Sequence, residues 1–168
     1  MMKKLNLKTL RFLSARNYPT QLLIFLLAGY ATIILLIPIE GIVEIFWDVT
    51  QLKEPPDPAN LEQLPLNIIV TSVLETFVYQ YLVFRIFRKW IHIKNKYFWA
   101  ILISSLIFGF MHYYDVMYII FAFLQGLTLG YCYYFYKRNL VKAFWSTALV
   151  HAAHNSIAVL LAINFPDI

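Results

Sequence analysis

Five apolar runs, at roughly 21–46, 66–87, 97–113, 116–136 and 139–164, constrain this chain more than any other feature of its sequence. Each is close to or above the ~20 residues that a helix needs to cross a hydrocarbon core of ~30 Å. Inside that core no water can bond to the backbone, so a spanning segment must satisfy its own amides and carbonyls, as an α-helix does. The expectation is an all-α, polytopic bundle of about five transmembrane helices. Composition agrees: 61% of the residues are apolar, 18% aromatic and 14% charged, which is more apolar surface than a small soluble globule can bury. The first run follows a long basic stretch and lacks a small-residue cleavage site before the next polar loop, so it reads as a retained helix and not as a signal peptide. With no internal repeat, residues 1–168 read as a single membrane domain. Pro55, Pro56, Pro58 and Pro65 make 47–66 a proline-rich connection.

The charges orient the bundle. Lys3, Lys4, Lys8, Arg11 and Arg16 precede the first run; Arg85, Arg88, Lys89, Lys94 and Lys96 join the second and third; Lys137, Arg138 and Lys142 join the fourth and fifth. The opposite ends carry Glu40, Glu44, Asp48, Glu54, Asp57, Glu62, Asp115 and Asp167, with Lys53 alone among them. By the positive-inside rule the N-terminus is expected in the cytoplasm and the C-terminus outside a cell membrane crossed several times. A net charge of +5 set in short blocks beside apolar segments speaks for topology and against a nucleic-acid partner. The N-terminal segment 1–19 mixes bases with Leu5, Leu7, Leu10, Phe12 and Leu13, which leaves two readings open, an amphipathic surface helix and a flexible basic tail. The lone Cys132 lies in an apolar stretch and reads as filler, so no disulfide framework is expected.

Function must come from polar groups at membrane depth, where burial is costly and such groups face the bundle interior. They are Glu75, His112, His151, His154 and Asn155, with Gln80 and Gln125 as neutral companions. Taken singly, each reads as an interhelical hydrogen-bonding group as readily as a catalytic one. Their depths bring them together. At ~1.5 Å per residue, Glu75 lies about 14 Å from the outer end of its helix and His151 about 18 Å from the inner end of its own, with His112 near the outer mouth. His151 and Asn155 are four residues apart on one helical face, and His154 borders it. A carboxylate that takes a proton from water, beside imidazole and amide donors that hold an oxyanion, is a working set for hydrolysis.

These residues also carry a resemblance. "ETFVYQ" at 75–80, "FGFMH" at 108–112 and "HAAHN" at 151–155 resemble the EExxxR, FxxxH and HxxxN motifs of the CPBP family, the CAAX-protease and bacteriocin-processing (Abi-like) intramembrane endopeptidases. Their order on successive helices matches too, and "LQGLTLGYCYYFYKRNL" is similar to the family's glycine-containing helix and basic turn. The likeness covers about residues 66–160. Thr76 stands where the family has its second glutamate and Gln80 where it has an arginine. The family's i,i+4 ion pair is thus replaced by a neutral pair able to hydrogen-bond.

The resemblance implies an intramembrane endopeptidase acting on a membrane-associated, prenylated or leader-type peptide or protein. In it Glu75 is the general base, His112 positions the water, and His151 and Asn155 stabilise the oxyanion. Thr76, Gln80 and His154 are supporting residues. No cofactor is expected, because no HExxH helix is present; were zinc used, its ligands would be Glu75, His112 and His151. The partners implied are membrane lipid and the peptide substrate. Two other classes stay open, a catalytically silent relative acting as an immunity or scaffold protein, and a small transporter relaying protons through Glu75 and the histidines.

Overall fold

The computed structural model describes residues 2–46, 64–113 and 116–164, and all regular structure among them is helical. In chain order the elements are α1 (Met2–Ser14), α2 (Tyr18–Phe46), α3 (Leu64–Glu75), a π segment (Thr76–Leu82), α4 (Val83–Lys89), α5 (Lys96–Met111), α6 (Val116–Tyr136) and α7 (Leu140–Asn164). The five apolar runs each fall on helix. Among the described residues, Leu66–Lys89 and Val116–Tyr136 are long and apolar enough to cross a membrane, and α5 is a shorter apolar helix. The basic N-terminal segment is helical over Met2–Ser14 and not an irregular tail. Leu64, Pro65 and Leu66, expected at the end of the proline-rich connection, open α3 instead. Proline is tolerated there because the first turn of a helix has no use for its missing N–H. The rest of that connection, the side chains of Glu40 and Glu44, and Asp115 and Asp167 lie outside the described residues.

Local chemistry sets the helix starts. Asn17 Oδ1 accepts the Thr20 amide at 3.0 Å to cap α2, and Asn139 Oδ1 accepts the Lys142 amide at 3.0 Å to cap α7. Before α5 the turn closes on Asn95 at φ 60°, a left-handed conformation that asparagine tolerates better than most residues.

α6 is the central helix, packed against α2, α5, α7 and the π segment. Its closest neighbour is α5, and the reason is in the glycines. A Cβ on Gly126 would lie 2.9 Å from Ser105 Cα, and one on Gly109 of α5 would lie 3.0 Å from the Ile119 carbonyl oxygen and from Phe123 Cβ. Small residues let two backbones approach where lipid supplies no hydrophobic drive between helices. At the basic end the bundle is tied by polar bonds. The Gln21 amide donates to the carbonyls of Leu13 and Arg16 and accepts the Tyr136 hydroxyl at 2.6 Å, while Tyr18 and Ser146 share a 3.0 Å bond. This anchors the α1–α2 turn to α6 and α7. Cys132 is fully buried in the apolar core.

Candidate active site

The polar residues singled out from the sequence separate into a cluster and its surroundings. Glu75 is the last residue of α3, His112 ends α5 and His151 lies mid-way along α7. His151 Nε2 is 3.3 Å from Glu75 Oε2, and His112 Nε2 is 3.8 Å from Glu75 Oε1. Three helices therefore deliver one carboxylate and two imidazoles to one place. Access is uneven: the side chains of Glu75 and His112 are 21% and 17% exposed and that of His151 only 2%, so a reactant would approach past Glu75 and His112.

The protons can be assigned from neighbours. His112 Nδ1 lies 2.7 Å from the Phe108 carbonyl oxygen. A carbonyl only accepts, so Nδ1 carries the proton and Nε2 of the neutral ring turns a lone pair toward Glu75. Two acceptors 3.8 Å apart are too far for a direct hydrogen bond and suit a water that donates to both. Glu75 Oε2 is buried without an aligned donor, although His151 Nε2 is close enough to supply one after a small shift. The Phe108 ring centroid is 4.4 Å from that of His112 and 5.5 Å from that of His151, so one aromatic side chain braces both imidazoles.

Asn155 and His154 sit differently. Asn155 Nδ2 donates to Ser72 Oγ at 3.2 Å, one turn before Glu75 on the same helix, which ties α7 to α3 beside the cluster. His154 is buried on the α2 side, stacked on Tyr30 with centroids 4.5 Å apart, and the Tyr30 hydroxyl donates to its backbone carbonyl at 2.9 Å. It faces Tyr30 and supports α7 from behind. Gln125 is also buried, with its amide against Gly29 of α2 and not in the cluster.

The expected bond between Thr76 and Gln80 is not formed. Both residues are fully buried, and Thr76 Oγ1 and both Gln80 amide atoms have no hydrogen-bond partner. Both residues lie in the π segment, whose backbone bonds reach five residues along the chain instead of four. Sequence reading also missed Ser72 and Tyr30. The spacing of Ser72, three residues before Glu75, was the available signal for the first; nothing in the sequence pairs Tyr30 with His154. Among the described residues no group of three or more His, Cys, Asp or Glu is arranged to hold a metal ion.

Comparison with known families places residues 57–157 under the model for Rce1-like type II CAAX prenyl endopeptidases. No curated protein and no solved structure matches the chain.

Proposed function

The chain belongs to the Rce1-like type II CAAX prenyl endopeptidase family, a family of membrane proteases, and from that premise we propose that it is an active intramembrane endopeptidase in which Glu75 activates water. The observation that carries this reading is the position of Glu75 between two imidazoles on different helices. Water held between Glu75 Oε1 and His112 Nε2 gives a proton to the carboxylate and attacks the scissile carbonyl. The oxyanion that develops takes hydrogen bonds from His151 Nε2–H and from the Asn155 amide, which turns from Ser72 toward it, and its collapse breaks the C–N bond as the proton held by Glu75 passes to the leaving amine. His154, pinned by Tyr30, keeps the α7 backbone in register. No cofactor has a part in these steps. The substrate is a membrane-associated peptide, prenylated or of leader type, that reaches the cluster from the bilayer with its surrounding lipid. The bundle crosses the membrane about five times with its basic ends in the cytoplasm.

Glu75→Gln keeps size and polarity but removes the base. On a cleavable membrane peptide it should lower turnover by about 10²–10⁴-fold while the melting profile of the purified protein stays unchanged, and a chelator should leave wild-type turnover intact. Unchanged turnover in a folded Glu75→Gln protein would sink the peptidase reading. A silent, peptide-binding relative would then take its place, a reading favoured by the unbonded, uncharged Thr76 and Gln80.

A further inference from the structure

At the basic end of the bundle, further along the helical run that carries Glu75, a cavity of about 410 Å³ opens between the π segment, α4, the start of α5 and the α6–α7 turn. Its volume lies within the range of small-ligand sites, ~300–1,000 Å³. Four cations line it. Arg85, Arg88 and Lys89 share one face of α4 by their spacing of three and four, and Lys137 faces them from the end of α6. Hydroxyl-bearing rings fill the wall between them, Tyr81, Tyr97 and Tyr133.

The cations are held, yet no carboxylate among the described residues answers their charge. The Arg85 guanidinium donates to the Tyr81 hydroxyl. Lys137 Nζ lies 3.5 Å from the centroid of Tyr134 and 5.3 Å from that of Tyr97. Among residues whose side chains are described, Glu75 is the sole carboxylate, and it lies beside the two histidines of the candidate active site. Aromatic faces and phenols orient cations without neutralising them. A concave site with two guanidiniums, two ammoniums and no acid among its described lining residues is built for an anion whose several oxygens can take bidentate bonds, as a phosphate does.

The surroundings choose the source of that phosphate. Leu140 lines the cavity, and Val141 and Ile86, next in the chain to the lining residues Leu140 and Arg85, are 69% and 48% exposed. Trp90 is 70% exposed with Lys89 Nζ 5.0 Å above its ring, as befits a side chain at a membrane–water boundary. A ligand seated here meets cations with its head and outward-facing apolar side chains with the remainder. We infer that this cavity binds the phosphate headgroup of an anionic glycerophospholipid of the cytoplasmic leaflet, whose acyl chains lie along Ile86, Leu140 and Val141. The inference rests on the orientation proposed above and is independent of whether Glu75 catalyses.

The test uses the full chain purified in a neutral detergent, with its melting midpoint followed during titration. Phosphatidylglycerol should raise the midpoint saturably. Phosphatidylcholine, and inorganic phosphate at millimolar concentration, should not. Arg88→Gln combined with Lys137→Gln should weaken the apparent phosphatidylglycerol affinity by at least about tenfold, each charge near a lipid surface being worth several-fold. Lys8→Gln, outside the cavity, should leave it unchanged. Should the double variant not fold, Lys89→Gln alone, at an exposed position, should weaken the affinity severalfold. Equal responses to the two lipids, or an affinity untouched by the cavity variants, would overturn the site; a full response to inorganic phosphate would overturn its assignment to lipid.

Discussion

The two halves of the helix Leu64–Lys89 handle charge in opposite ways. At Glu75 one carboxylate is enclosed by groups that need not be charged, two imidazoles with Ser72 and Asn155 beside them. Ten residues further on, Arg85, Arg88 and Lys89 gather like charges with Lys137 and meet no acid among the described residues. The difference follows from depth. A charge far from water is tolerable only among groups that can donate to it or trade protons with it, whereas arginine and lysine near a helix end extend along their own methylenes to reach the interface. On the proposals made above, reactivity belongs to the first region and recognition to the second.

The sharpest way to break this contrast is to ask which region faces the cytoplasm. A reporter fused after Ile168 should be active only outside, and one inserted near Lys94 only inside, an all-or-none difference. The reverse pattern would turn the basic cavity outward and remove its cytoplasmic lipid. A smaller effect separates chemistry from architecture within the first region. His151→Ala and Asn155→Ala should each lower kcat on a membrane peptide by roughly 10²–10³-fold if each supplies an oxyanion donor. Ser72→Ala, which loses only the bond orienting the amide, should lower it less; equal losses from Ser72→Ala and Asn155→Ala would mean that the amide serves packing alone.

The smallest effect concerns the join between the regions. Thr76→Glu places a carboxylate at a fully buried position and should lower stability and turnover together. Adding Gln80→Arg should recover part of that loss, with a coupling of ~0.5–3 kcal/mol in a double-mutant cycle of melting free energies. Strict additivity would show that the two positions do not interact.

The helices were legible because long, mostly apolar runs have few other uses, and the meeting of Glu75, His112 and His151 was legible because depth along each helix is simple arithmetic. The helix boundary at Pro65 was not, since proline marks a loop and a first helical turn alike. Ser72 escaped because a hydroxyl costs little at membrane depth and so raises no alarm in a search for expensive polar groups. His154, three residues from His151, borders the same face by spacing, yet Tyr30 on a distant helix captures its ring. The π segment has no sequence signature: Thr76–Leu82 reads as ordinary apolar helix, and only packing against α5, α6 and α7 reveals it.

That segment has a rotational consequence. A π turn takes up one residue more than the α turn it replaces, and one residue is about 100° of winding. Everything after Leu82 is thus clocked by more than a quarter turn relative to an uninterrupted helix begun at Leu64. Removing a single residue between Phe77 and Tyr81 would let the helix close as a plain α spiral, intact in length and hydropathy. The deleted residue and the lost π turn would cancel, so Arg85, Arg88 and Lys89 would keep facing Lys137. The same seven residues closed as plain α at full length would instead swing them away by about 100° while Glu75 kept its place. Seven residues thus serve the helix as a phase plate between its reactive and its cationic ends.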